Sequence, residues 1–375
     1  MITKRYGIYI VVAAAGIGLM VLAGTGHLQQ FFFKPTPSLL KNGVVSKNDN
    51  SKDIETIAQN LTVPWGIAFL PGGDLLVTER SGTLQRIGKD NQKHAIDGVQ
   101  HVGEGGLLGV ALDPKFSANH RIYLYMTTKT GNALTNRIER YVYENRVLSQ
   151  RQIILQNIPG EANHDGGRLA FGPDGFLYVT TGDAGNSALA QNKSSLAGKI
   201  LRLTADGLPA PGNPLNSTIY SYGHRNPQGL AWDKQGQLWA TEHGRSGIQS
   251  GFDELNLIKP GANYGWPLIQ GDETRPGMEK PVAHSGPNET WAPASLAYAN
   301  GSLFFGGLRG ESLYEATITG DNTVALQVHF RGGYGRLRTV AVNNQALYVT
   351  TSNTDGRGQA KPGDDKVIRI KLSVF

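Results

Sequence analysis

One pattern recurs along this chain and limits what it can fold into: an apolar strand with a central alanine, a polar turn, then a second apolar strand. The copies are WGIAFLPGGDLLVTE from Trp65, LGVALDPKFSANHRIYLYM from Leu108, GRLAFGPDGFLYVTT from Gly167, QGLAWDKQGQLWATE from Gln228, ASLAYANGSLFFGG from Ala294 and RTVAVNNQALYVTT from Arg338. Their aligned alanines are Ala68, Ala111, Ala170, Ala231, Ala297 and Ala341. In each copy β-branched and aromatic residues flank a Gly, Asn, Asp or Pro turn, which is the signature of a β-hairpin. The copies are spaced by roughly 45–65 residues, the scale of a propeller blade. Six copies predict an all-β, six-bladed β-propeller over residues 54–375, closed around a central channel. Two stacked sheets would leave the near-identity of the six hairpins unexplained. The outer strands of the blades fall to LQRIGK, RIERYVYE, KILRLTA, DELNLIK, LYEATI and KVIRIKL.

Composition agrees with many short strands and turns: 49 glycines, and only 18% charged residues. The absence of cysteine excludes disulfides, thiolate nucleophiles and zinc–thiolate sites. A net charge of +6 spread over scattered Lys and Arg gives no reason to expect a nucleic-acid partner.

The N-terminus is of a different character. Lys4 and Arg5 precede an apolar run from Gly7 to Ala23. This predicts a hydrophobic helix within residues 1–33 that acts as a membrane anchor or a cleaved signal peptide. Leu22-Ala23-Gly24 resembles the start of a lipoprotein box, but Thr25 stands where a lipidated cysteine would be needed. Residues 34–53, rich in Lys, Ser, Asn and Pro, read as a linker. The body of the protein is thus expected outside the cytoplasm, anchored or secreted.

The repeat also places candidate chemistry. Six residues before the aligned alanines stand His164 in blade three and Arg225 in blade four. The corresponding exits of the second strands carry Asp183, Gly244 and Arg309. In an antiparallel hairpin the entry of one strand and the exit of the next share an edge, so these residues should meet on one rim of the channel. His164, in NHDGGR, can take a proton near neutrality, and Asp183, in TTGDAGN, can orient its ring. Arg336 and Arg338 alternate by two in GRLR. With Arg225 and Arg309 they form a pool of positive charge suited to carboxylates.

At this point the chain resembles the soluble glucose and aldose sugar dehydrogenases that depend on pyrroloquinoline quinone (PQQ). The resemblance covers about residues 54–375. It rests on GEGGLLGVALDPKF, NHDGGRLAFGPDG, TTGDAGN, GHRNPQGLAWD, DELNLIKPGANYGWP and GRLR, in that order. It implies oxidation of an aldose at C1 to the lactone, with PQQ and calcium as cofactors and an electron acceptor outside the chain. By the same resemblance His164 is the base, Asp183 supports it, and Arg225 and Asn226 contact the quinone oxygens. Arg309, Arg336 and Arg338 hold the cofactor carboxylates. The backbone carbonyls of Gly244 and Arg245 hold a calcium ion, and Glu254 with the Tyr264 carbonyl a second. Two cofactor-side positions depart from the family. Glu104 replaces a glutamine ligand and, when ionised, weakens binding of an anionic quinone unless an arginine pairs with it. Asn163 replaces an acidic neighbour of the base seen in some members. Residues 270–289 match no family motif. A non-catalytic surface propeller binding a protein or glycan, and a calcium-dependent hydrolase, are the competing functions.

Overall fold

The structure is a computed structural model that describes residues 41–42, 52–247, 250–320 and 322–375. Strands β1 (Lys41–Asn42) and β2 (Ile54–Ala58) precede five sequential blades, each built on four consecutive strands. Blade one holds β3 (Pro64–Phe69), β4 (Leu75–Glu79), β5 (Thr83–Ile87) and β6 (Gln92–Ala95). Blade two holds β7 (Leu107–Leu112), β8 (Arg121–Thr130), β9 (Ala133–Glu144) and β10 (Val147–Pro159). Blade three holds β11 (Leu169–Phe171), β12 (Leu177–Thr181), β13 (Lys199–Leu203) and β14 (Ile219–Tyr222). Blade four holds β15 (Pro227–Trp232), β16 (Leu238–Glu242), β17 (Glu254–Ile258) and β18 (Ala283–His284). Blade five holds β19 (Pro293–Ala299), β20 (Ser302–Gly307), β21 (Ser312–Gly320) and β22 (Thr323–His329). Blade six combines β23 (Leu337–Asn343), β24 (Ala346–Thr351) and β25 (Val367–Lys371) with β2 as its outer strand. The first described segment of the body therefore closes the ring onto the last.

Each expected hairpin forms the two inner strands of a blade. The aligned alanines all lie opposite larger residues on the partner strand: Leu76, Tyr123, Tyr178, Trp239, Phe304 and Tyr348. A small residue is matched to a large one in every blade, so the repeat encodes packing as well as turns. First strands of neighbouring blades then pack around the axis, β3 on β7, β7 on β11, β15 on β19, β19 on β23 and β23 on β3.

Hydrogen bonds stitch every blade boundary. Thr78 Oγ1 donates to the Leu108 carbonyl (2.5 Å), Tyr125 Oη to Asp165 (2.8 Å) and Arg168 Nε to Gln228 (2.9 Å). Thr241 Oγ1 donates to Ala294 (2.5 Å), Ser295 Oγ to Val340 (2.9 Å), and Thr339 Oγ1 closes the circle on the Trp65 carbonyl. Each contributes about 0.5–1.5 kcal/mol net. Burial of Trp65, Trp239 and Trp291 between blades supplies the larger stabilisation.

The expected hydrophobic helix of residues 1–33 lies outside the described residues, as does most of the linker. Within that linker, however, Lys41 and Asn42 pair in parallel with Gln327 and Val328 and add a fifth strand to blade five. Strand addition uses main-chain groups, so a polar sequence does not prevent it. No helix among the described residues is long and apolar enough to cross a membrane.

Candidate active site

The rim is built where strands enter and leave. Pro64 pairs with Glu79, Pro227 with Glu242, Pro293 with Gly307 and Leu337 with Thr351. The loops beyond these pairs surround an axial cavity of about 620 Å³. Glu104, Asn163, His164, Arg225, Gly244, Arg245, Arg309, Arg336 and Arg338 all line it, from blades two to six. Asp183 and Asn226 sit behind this wall. Glu254 and Tyr264 do not line the cavity.

His164 lies on a tight turn, with φ at +62° and the following Gly166 and Gly167 also left-handed. This turn packs on the TTGD loop so closely that a Cβ on Gly182 would lie 1.8 Å from the His164 carbonyl oxygen. The fit brings the His164 Nδ1 to 2.8 Å from Asp183 Oδ1, with Asp183 only 2% exposed. Trp266 Nε1 donates to the other carboxylate oxygen at 2.8 Å, and the Gly185 N–H donates to Oδ1 at 2.9 Å. Burial pushes the Asp183 carboxyl up, but the bond and charge of His164, then Trp266 and Arg225, outweigh it and hold the group below its ordinary range. An ionised Asp183 accepts a hydrogen bond from Nδ1–H, which keeps the ring proton on Nδ1 and leaves Nε2 as the acceptor at the cavity. The neighbouring His243 is pushed down to about 4, chiefly by burial, and stays neutral at working pH.

Arg225 is held by its main chain: its N–H donates to Glu242 and its carbonyl accepts from the Asp183 N–H at 2.7 Å. Its guanidinium donates to Ser246 Oγ at 2.7 Å and lies 5.4 Å from the Trp266 ring. Arg336 is fixed by Asp355 through Nε and Nη2, at 3.0 and 2.8 Å. Arg338 donates to Gln228 Oε1 at 3.2 Å. Asn226 accepts from the Gly166 N–H at 3.0 Å, and its buried Nδ2 has no hydrogen-bond partner.

Glu104 has the arginine its position requires. Oε1 accepts from Arg357 Nη1 at 2.6 Å, and Oε2 accepts from the His164 N–H at 3.2 Å. Burial opposes ionisation, yet Arg357, His243 and His164 hold the carboxyl well below the usual range. Arg357 Nη2 also reaches Asn163 Oδ1 at 3.5 Å. Sequence reasoning missed Arg357, Trp266 and Asp355, none of which stands in the hairpin register.

Beside His164, Asp165 is 2% exposed, accepts from Asn136 at 2.8 Å, and leaves Oδ2 without a partner. Burial, with Glu104 and Glu161, pushes its carboxyl up to about 7 against the hydrogen bonds it accepts. The folded chain therefore holds a proton here that the unfolded chain releases near pH 4. Its stabilising contribution is complete below that pH and is lost as pH rises through 7. Unfolding free energy from urea melts should fall by about 2–3 kcal/mol between pH 5 and 7.5 on this account. Asp165→Asn should flatten that slope; an unchanged slope would show that Asp165 is already ionised in the folded chain.

A histidine hydrogen-bonded to a buried carboxylate, at the axis of a six-bladed propeller and facing an arginine-rich wall, defines a class of protein. Such a site is suited to proton transfer on a small molecule held beside an anion-binding surface. Residues 61–361 match the Glucose / Sorbosone dehydrogenase family model, and the chain belongs to that oxidoreductase family. It is 30% identical to Aldose sugar dehydrogenase YliI of Escherichia coli, over 88% of this chain and 97% of the relative. The PQQ-bound aldose sugar dehydrogenase of Streptomyces coelicolor superposes with a TM-score of 0.80 at 46% identity, covering 85% of this chain and 97% of the other. A Thermus thermophilus protein described as a putative oxidoreductase (glucose dehydrogenase) superposes at 0.81 with 44% identity, covering 84% and 99%.

Proposed function

We propose that this chain oxidises an aldose at its C1 hydroxyl to the lactone, with PQQ and calcium as cofactors and its body outside the cytoplasm. The observation that carries the reading is the His164–Asp183 pair, 2.8 Å apart, facing a cavity lined by six arginines. His164 Nε2 accepts the hydroxyl proton, and Asp183 orients the ring and stabilises the imidazolium that results. Arg309, Arg336 and Arg338 would hold the cofactor carboxylates. Arg225, and Asn226 with its unused Nδ2 donor, would face the quinone oxygens. The Gly244 and Arg245 carbonyls offer calcium the oxygen ligands it prefers. When bound, PQQ supplies the hydride acceptor and calcium the Lewis acid beside it.

Glu254 supports a second calcium site apart from the cavity. Its carboxyl is pushed up to about 8 by burial and by Glu242, directly opposite it in the ladder, so it lacks a compensating positive charge. The Tyr264 carbonyl would be its companion ligand.

Purified protein given PQQ and calcium should reduce an artificial electron acceptor only when an aldose is present. Chelating calcium should lower that rate at least tenfold, with recovery on calcium readdition. No aldose-dependent reduction and no PQQ binding across a panel of aldoses would overturn the reading.

A further inference from the structure

Arg245 carries a guanidinium for which the chemistry above has no use, since only its backbone carbonyl was assigned. Arg245 is one of the residues that line the cavity. Among the described residues its side chain makes no ion pair or hydrogen bond, and its buried Nε is without a partner. It is nevertheless held in place. The Arg245 N–H donates to the Gly251 carbonyl at 2.8 Å, closing the loop on itself. The guanidinium lies 4.6 Å from the centre of the Phe252 ring, a cation–π contact that fixes its plane and leaves its N–H edge available.

The acids of the cavity do not neutralise it. Glu104 is paired with Arg357. Asp253 accepts from the N–H groups of Gly244, Trp291 and Ala292 and from the Thr290 hydroxyl. Glu311 is exposed to solvent.

The Phe252 ring under Arg245 is braced in turn by residues of 270–289, the stretch that matches no family motif. The Phe252 ring packs on His284 with centroids 5.6 Å apart, and the Phe252 N–H donates to the Gly286 carbonyl. A Cβ on Gly271 would strike the Phe252 ring at 2.5 Å. A preorganised fork with unused donors, on a ring braced by His284 and Gly286, is a means of selecting substrate. We infer that Arg245 binds an anionic group on the sugar, so that the preferred substrate is an aldose bearing a carboxylate or phosphate away from C1. This rests on the aldose-oxidation reading above.

The test compares kcat/KM for glucuronate, glucose 6-phosphate and glucose, using full-length protein loaded with PQQ and calcium. Calorimetric binding of the same sugars is measured alongside. Wild type should favour one anionic aldose over glucose by about tenfold or more, the scale of a hydrogen-bonded charge contact. The two anionic arms tell carboxylate from phosphate. Arg245→Met, which keeps an apolar stem over Phe252, should bring that ratio towards one. No anionic preference in wild type, or a ratio that Arg245→Met leaves unchanged, overturns the inference. The latter is also the result expected if Arg245 holds the cofactor instead. If no sugar is oxidised at all, the proposed function fails, and calorimetry still decides Arg245. Anionic-sugar binding that Arg245→Met weakens at least tenfold supports its role, and binding that is absent or unaffected overturns it.

Discussion

Replacing His164 with alanine is expected to lower kcat for aldose oxidation by about 10²–10⁴-fold while leaving PQQ binding within a few-fold of wild type. A positioned general base is worth that factor, and among the cavity-lining groups His164 alone pairs a ring nitrogen with a buried carboxylate. His243 cannot substitute, because burial keeps it neutral and poorly basic. Asp183→Asn should reproduce much of the loss. An amide at that position can donate to Nδ1, which favours the tautomer with its proton on Nε2 and removes the acceptor from the cavity. The two losses should not add, since both remove one proton acceptor. The measurement is single-turnover reduction with PQQ-saturated protein, with cofactor affinity determined separately. A His164→Ala variant of wild-type activity would remove the proposed mechanism and leave the fold untouched.

How much of this was legible beforehand follows from the range of each interaction. The blades were legible because a hairpin is written in about fifteen consecutive residues, and each alanine with its larger cross-strand partner belongs to one such stretch. His164 and Asp183 were legible because the repeat register converts sequence offset into position on the rim. Arg336 and Arg338 were legible by alternation. Arg357 was not. It sits in the loop TDGRGQAKPGDD, after the last hairpin, and meets Glu104 across 253 positions of sequence. Trp266 likewise supports Asp183 from 83 residues away. Nothing periodic records contacts made by loops. Glu254 and Tyr264 show the converse, a spacing that is legible but does not report location. The Tyr264 side chain turns back to donate to the Leu257 carbonyl at 2.6 Å, and the pair stands away from the cavity. Lys41 and Asn42 pair through their backbones, which a polar linker composition cannot reveal.

Removing the positive partner of Glu104 is expected to weaken PQQ binding, and removing both partners together is expected to restore most of it. In Arg357→Ala the carboxylate keeps its place beside the His164 N–H but loses the guanidinium 2.6 Å away. A partly buried negative charge without a counter-charge then faces a polyanionic cofactor. Breaking a fully buried pair from one side costs about 3–5 kcal/mol. Arg357 is 40% exposed on its side chain and Glu104 17%, so solvent screening reduces the expectation to about 1–2 kcal/mol. That corresponds to a dissociation constant about five- to thirtyfold higher. Glu104→Gln alone should cost less, because the half-exposed Arg357 can hydrate and a neutral amide still accepts from the His164 N–H. Glu104→Gln/Arg357→Ala leaves neither charge and should recover to within a few-fold of wild type. The coupling energy of this cycle, from PQQ titrations of the apo-protein at fixed ionic strength, should be about 1–2 kcal/mol. Raising the salt concentration should narrow the gap between Arg357→Ala and wild type, as screening weakens the repulsion. If Arg357→Ala binds PQQ as wild type does, or the double variant binds as poorly as the single, charge compensation is not what Arg357 provides. The glutamate would then be tolerated because the cofactor does not approach it.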